Sequence, residues 1–182
     1  ITNFTPIQQK TIIKKIQVCL FENEPKLYVL KGKDTLELTA KNNQVFIHET
    51  KKTKRTETLK ISHSLLSISK TKKLSSLYPG TLIISAKNGK LKVINDVDIE
   101  EYLRGVVPYE IGTLDEERFE ALKVQAVAAR TYAYRHLGSR QALGFDVYAD
   151  TRDQVYNGLS NATPLTDKAI QEFESEFDGV LL

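Results

Sequence analysis

Apolar side chains change their period once along this chain, near Ile99, and that change limits the fold more than any single motif does. Before it they alternate with period two, as in strands with one buried face. Such segments occupy residues 12–21, 26–30, 35–40, 44–49 and 57–61, with turn signals at Glu24-Pro25, Gly32-Lys33 and Asn42-Asn43. Asn88-Gly89 then separates two alternating runs, TLIISAK and KLKVIND. Both central positions of a tight hairpin turn need positive φ, which Asn and Gly accept, so the pair predicts a two-residue hairpin. The cluster KKTKR at 51–55 is read as a loop.

After Ile99 the period becomes helical. EEYLRGVV predicts a short helix running into a turn at Gly105, and a longer helix is predicted over about 115–137. Thr113 with Glu116 fits a capping box. Asp115, Glu116 and Glu117 suit the helix start, Arg135 and His136 its end, and Gly138 is placed to stop it. The expected class is therefore α+β: a β-rich N-terminal half with hairpins, one main amphipathic helix, and short strands and loops after it. The expected organisation is a single domain over 1–182, with a β-rich basic part (1–97) and an acidic, helix-containing part (98–182).

The charge divides with the period. Residues 1–97 hold 18 Lys and Arg against 7 Asp and Glu, and residues 98–182 hold 8 against 16, within a net charge of +3. The basic part suits an anionic polymer or membrane surface, or is a solvated lysine-rich face. The 51–55 cluster lacks interleaved aromatics, so no nucleic-acid partner is expected. Cys19, the one cysteine, permits no internal disulfide or Cys-rich zinc site, and its apolar setting suggests a small buried hydrophobe. No run approaches the roughly 20 apolar residues of a membrane span. The opening ITNFTPIQQK is not a signal peptide, and suggests a piece of a longer protein.

At about 100° per residue, Phe119, Leu122, Ala126, Ala129, Ala133 and Leu137 form one stripe of the long helix. Its alanines imply close approach of another element. Arg130 falls inside the stripe's edge, in a row with Lys123 and Tyr134. A buried arginine needs a partner, so Arg130 either forms a structural ion pair, snorkels to water, or enters a polar cleft beside Lys123. The later segment GFDVYADTRDQVYNG mixes aromatics with hydrogen-bonding groups, which suits either a sugar-binding surface or an ordinary loop. Glu110 alone reads as a surface glutamate near a helix start.

Three blocks in order, EEYLRGVVPYEIG, EALKVQAVAARTYAY and DTRDQVYNG, closely resemble the SpoIID/LytB family, typified by the stage II sporulation protein D lytic transglycosylases. The match spans about 98–158. Glu101, Tyr102, Leu103, Gly105, Val106, Val107 and Glu110 carry the first block. Ala121, Leu122, Lys123, Gln125, Ala126 and Ala128 to Ala133 carry the second. Gln154, Val155, Tyr156 and Gly158 carry the third. Ile111 replaces the family's usual Met after the glutamate, and the segment before the long helix is slightly longer. Residues 148–153 lack the Cys and His that bind zinc in some members, so no metal and no cofactor are expected. The chain ends at Leu182, before the family's Ser-Gly-Gly-like segment, and the expectation is of an incomplete C-terminal groove.

The resemblance implies a peptidoglycan lytic transglycosylase. Such an enzyme cleaves the β-1,4 bond from N-acetylmuramic acid to N-acetylglucosamine and leaves 1,6-anhydro ends. Glu110 would be its general acid and base, in an apolar pocket that keeps it protonated. Arg130 and Lys123 would orient Glu110 or bind a muramyl carboxylate. Gln125, Gln154 and Tyr156 would hydrogen-bond the sugars, and Asp146, Asp150 and Asp153 are candidates for a second carboxylate. Implied partners are glycan strands and a cell-wall amidase. The alternative reading is a non-catalytic wall-binding module that activates such an amidase. The implied location is the exported, wall-facing side of the envelope, with the full-length protein membrane-anchored.

Overall fold

The computed structural model describes residues 14–112 and 114–177. Ten strands come first: β1 (Lys15–Glu24), β2 (Lys26–Lys31), β3 (Asp34–Lys41), β4 (Gln44–His48), β5 (Thr53–Thr56), β6 (Thr58–Ser62), β7 (Leu66–Ser69), β8 (Leu77–Tyr78), β9 (Thr81–Lys87) and β10 (Lys90–Asp98). Then follow α1 (Ile99–Arg104), α2 (Val107–Ile111), α3 (Phe119–His136), the two-residue β11 (Val147–Tyr148) and α4 (Pro164–Phe177). The class is α+β, as the period change predicts.

The strands form two sheets. One has the order β11-β1-β10-β9-β6 and the other β5-β4-β3-β2-β7-β8. Their pairs are antiparallel except β1 with β11. Among the described residues the chain crosses between the sheets four times: after β1, β5, β6 and β8. Alternation sets the inner faces: Leu27, Val29, Leu38 and Val45 of one sheet join Ile16, Val18, Ile84 and Val93 of the other in one buried cluster. Leu122, Ala126, Ala129 and Ala133 of α3 enter the same cluster fully buried, and Phe119 and Leu137 pack on its margin.

Asn88 and Gly89 turn β9 into β10 with φ of 52° and 73°, as the hairpin requires. This turn is tied to the Asn42-Asn43 turn, since the Gly89 N–H donates to the Asn42 carbonyl at 2.7 Å. Cys19 is buried, and burial first of all pushes its thiol up to about 12.

Several expectations need correction. The 51–55 cluster is not wholly loop, because Thr53, Lys54 and Arg55 extend the second sheet as its edge strand. The long helix begins at Phe119, after a 3-10 turn over Glu116–Arg118. A further helix, α4, lies where only strands and loops were expected. Pro164 opens it, and Thr163 and Thr166 cap it reciprocally: the Thr166 N–H donates to Thr163 Oγ1 at 3.2 Å and the Thr163 N–H to Thr166 Oγ1 at 2.9 Å. The proposed Thr113 cap, the Ile12-Ile13 strand start and the last five residues lie outside the described residues.

Candidate functional site

The end of β10 launches the site. Asp98 caps α1 by accepting from the Glu100 N–H at 2.8 Å, and α1 then runs into the turn at Gly105. A Cβ on Gly105 would lie 2.7 Å from Tyr156 Cδ2 and 2.9 Å from the Gly158 carbonyl oxygen. The glycine therefore lets the first motif block pack directly on the third. Pro108, fixed near the start of α2, buries with Val107 and leaves Glu110 on the outer side.

Glu110 meets the third block there. The Val155 N–H donates to Glu110 Oε1 at 2.8 Å, the carboxylate's sole hydrogen-bond donor among the described residues. The described residues form no apolar pocket around it: Glu110 is exposed, because the apolar neighbours Val107 and Pro108 turn toward the core. An N–H can only donate, so Oε1 is held as an acceptor. The proton of the acid form therefore belongs to Oε2.

The adjoining residues hold this loop in place. Tyr102 is fully buried and donates to Gln154 Oε1 at 3.3 Å. Burial, and after it the charge of Asp153, raise Tyr102 well above the ordinary tyrosine range, so its hydroxyl keeps its proton. Gln154 is buried beneath the loop rather than lying open along a groove. Tyr156, expected to contact sugar, is a core residue. It is 0% exposed, sits 5.0 Å from the Tyr102 ring and 5.6 Å from the Tyr78 ring, and donates to Asn95 Oδ1 at 2.8 Å.

Asp153 anchors the loop from below. Its carboxylate accepts from the Tyr132 hydroxyl (2.7 Å), the Arg140 guanidinium (3.0 Å) and the Tyr148 N–H (2.8 Å). Burial and then this hydrogen bond push Tyr132 up to about 12. The other candidate second carboxylates are also engaged. Asp146 accepts from the Gln17 and Gly138 N–H groups, and Asp150 pairs with Arg152. This anchoring role of Asp153 and Arg140 was missed. Tyr132 lies inside the second motif block, but no spacing rule links it to Arg140.

Arg130 and Lys123 lie toward α1 and α4. Arg130 is 3% exposed, with Nε and Nη2 donating to the Glu100 carboxylate at 2.9 and 2.6 Å and Nη2 also to the Ile170 carbonyl at 2.9 Å. Of the three roles open to it, the structural ion pair is the one formed. Lys123 pairs with Glu120 at 2.8 Å and Glu172 at 3.5 Å. Gln125 is half-buried on the same helix. Arg104, which the pattern did not single out, joins Glu101 to Asp167 and so fastens α4 to α1. The arrangement brings together one exposed, singly anchored carboxyl group and a loop braced by buried tyrosines and Asp153.

Comparison with known proteins supports this grouping. A family model described as stage II sporulation protein matches residues 87–177, half of the chain, and covers all three motif blocks. A protein of Brachyspira hyodysenteriae, described as uncharacterized, is 40% identical over 100 residues. That alignment covers 54% of this chain and 27% of the relative, so the chain spans about a quarter of the relative's length. No solved structure matches.

Proposed function

The chain belongs to the SpoIID family of stage II sporulation proteins, a cell-wall related group, and from that membership we propose that it is a peptidoglycan lytic transglycosylase with Glu110 as its acid and base. The observation that carries the proposal is the anchoring of Glu110. The Val155 N–H fixes Oε1, while the exposed carboxyl leaves Oε2 available to a glycan.

The reaction follows from one carboxyl group. Oε2–H protonates the glycosidic oxygen as the bond from the muramyl anomeric carbon breaks, and the bonding electrons leave with that oxygen. The carboxylate then takes the proton of the muramyl 6-hydroxyl, whose oxygen closes on the anomeric carbon. No water is consumed, unlike in two-carboxylate glycosidases. Arg130, paired with Glu100, contributes by holding α1 to α3, and Gln154 and Tyr102 by positioning the loop that carries Val155. The site of action in this reading is the wall-facing side of the envelope.

The test is digestion of peptide-free glycan strands with product masses recorded. Wild type is expected to give 1,6-anhydro ends, and Glu110→Gln to lose about 10²–10⁴-fold in rate while keeping its thermal transition. Reducing ends in place of anhydro ends would reject transglycosylation.

The exposure of Glu110 favours a second reading, since an open site does not exclude water from the reacting bond. In it the domain binds wall glycan and activates an amidase. Sacculus binding and amidase stimulation that both survive Glu110→Gln, with no anhydro product from wild type, would select that reading.

A further inference from the structure

We propose that the outer face of the second sheet is a separate binding face for a carboxylate-bearing glycan strand, distinct from the Glu110 site. Period-two alternation turns Leu27, Val29, Leu38, Val45 and Ile47 inward, which puts Tyr28, Glu37, Thr39, Phe46, His48 and Arg55 on the opposite face, where Glu37 is level with Tyr28 and His48. There Tyr28, Phe46, Thr39 and His48 are half-buried, and Lys26 and Arg55 are exposed.

The register gives this face its shape. Phe46 lies level with Arg55 on one side and with Thr39 and then Lys26 on the other. Tyr28 lies two strands away from Phe46 and two residues along, which sheet geometry converts to about 12 Å. Two aromatic rings at that separation match successive pairs of linked hexoses, whose apolar C–H faces pack on aromatic faces. Beside them a polar row crosses β3, β4 and β5. Thr39 Oγ1 and His48 Nε2 lie 2.8 Å apart, and His48 Nδ1 and Thr53 Oγ1 3.2 Å apart.

Charge selects the kind of glycan. Residues 26–78 carry 12 Lys and Arg against 4 Asp and Glu. Arg55 is level with Phe46, and the Lys72 ammonium lies 5.6 Å from the Tyr28 ring centroid, so each aromatic has a cation beside it. Lys26 pairs at 3.1 Å with Glu37 in a solvent-exposed bridge, which holds it weakly enough to be exchanged for a ligand carboxylate. An aromatic beside each cation suits a polymer with both sugar rings and acidic groups. A polyphosphate would use only the cations, and a lipid surface would use the exposed Leu74 beside Lys72 and Lys73 but not the row of Phe46 and Tyr28 on the sheet.

Binding is measured by calorimetry on the Glu110→Gln protein, so turnover does not interfere and the outcome stands apart from the catalytic reading. The probe is soluble peptide-free muramyl glycan, with neutral chitooligosaccharide of equal length, polyphosphate and anionic vesicles as comparisons. The expected result is binding of the muramyl glycan, at least 10-fold weaker for the neutral strand, and at least 10-fold weaker again for Phe46→Ser and Tyr28→Ser. Arg55→Glu, on the exposed edge strand, is expected to weaken binding several-fold and carries the test if an aromatic variant does not fold. Affinity unchanged in Phe46→Ser, Tyr28→Ser and Arg55→Glu overturns the proposal. So does equal or tighter binding to polyphosphate or vesicles.

Discussion

Removing Glu100 is expected to destabilise the protein more than removing Arg130, although the two form one ion pair. The Arg130 side chain is 4% exposed and that of Glu100 24%. Glu100→Ala strands an almost fully buried guanidinium whose remaining partner among the described residues is the Ile170 carbonyl, a loss of about 3–5 kcal/mol. Arg130→Met keeps most of the aliphatic stem and removes Nη1, which has no partner among the described residues. It leaves Glu100 able to rehydrate at the first turn of α1, where the helix dipole favours it, for a loss of about 1–2 kcal/mol. The double variant Glu100→Met/Arg130→Met is expected within about 1 kcal/mol of wild type, since apolar replacement of a buried pair is often neutral. Urea unfolding reads this directly. A difference of about 2 kcal/mol separates the two single-variant midpoints by about 1 M at an unchanged slope. An Arg130→Met midpoint as low as that of Glu100→Ala would refute the reasoning, because burial would then not be what sets the cost.

Other outcomes are expected. Gly105→Ala forces a Cβ against Tyr156 and the Gly158 carbonyl, and should lower stability by about 1–3 kcal/mol in thermal melts. Tyr156→Phe leaves the buried Asn95 Oδ1 without its donor and should cost about 1–3 kcal/mol by the same measurement. Raising the pH should destabilise the fold. The native Cys19 thiol lies at about 12 against 9.0, and Tyr78 and Tyr132 at about 12 against 10.0. Unfolded chains therefore ionise first, and stability that is complete below about pH 9 should fall as the pH climbs toward 12. Urea midpoints between pH 8 and 11 check this, and a flat profile would contradict it. The Cys19 thiol should resist a thiol reagent at pH 8 until urea unfolds the chain.

The strands were legible where alternation and turn residues agreed, as at Asn88-Gly89, and the buried stripe of α3 was legible from its alanines. β5 was misread because its lysines and arginine report solvent exposure, and an edge strand tolerates exposure as well as a loop does. α4 was passed over although Thr163, Pro164 and Thr166 spell its start and Leu165, Ala169 and Phe173 recur at helical spacing, because the motif blocks that pointed to the site end at Gly158. Within the site, the motif blocks pointed to the residues but not to their exposure. Tyr156 and Arg130 proved buried because their partners, Asn95 and Glu100, come from β10 and α1, which spacing within one block does not reveal. The Glu110 pocket failed for a local reason: Pro108 and Val107 share its short helix but face the other way.

The place of β1 carries a consequence for synthesis. It is made before the other described strands, yet its neighbours come late, with Lys15 pairing with Asp98 and Val18 with Val147. While the ribosome works through residues 26–56, β2 to β5 can close as successive hairpins of low contact order. During that interval Ile16, Val18 and Cys19 wait as an unpaired, apolar segment of the nascent chain, where a chaperone or a neighbouring polypeptide can capture it.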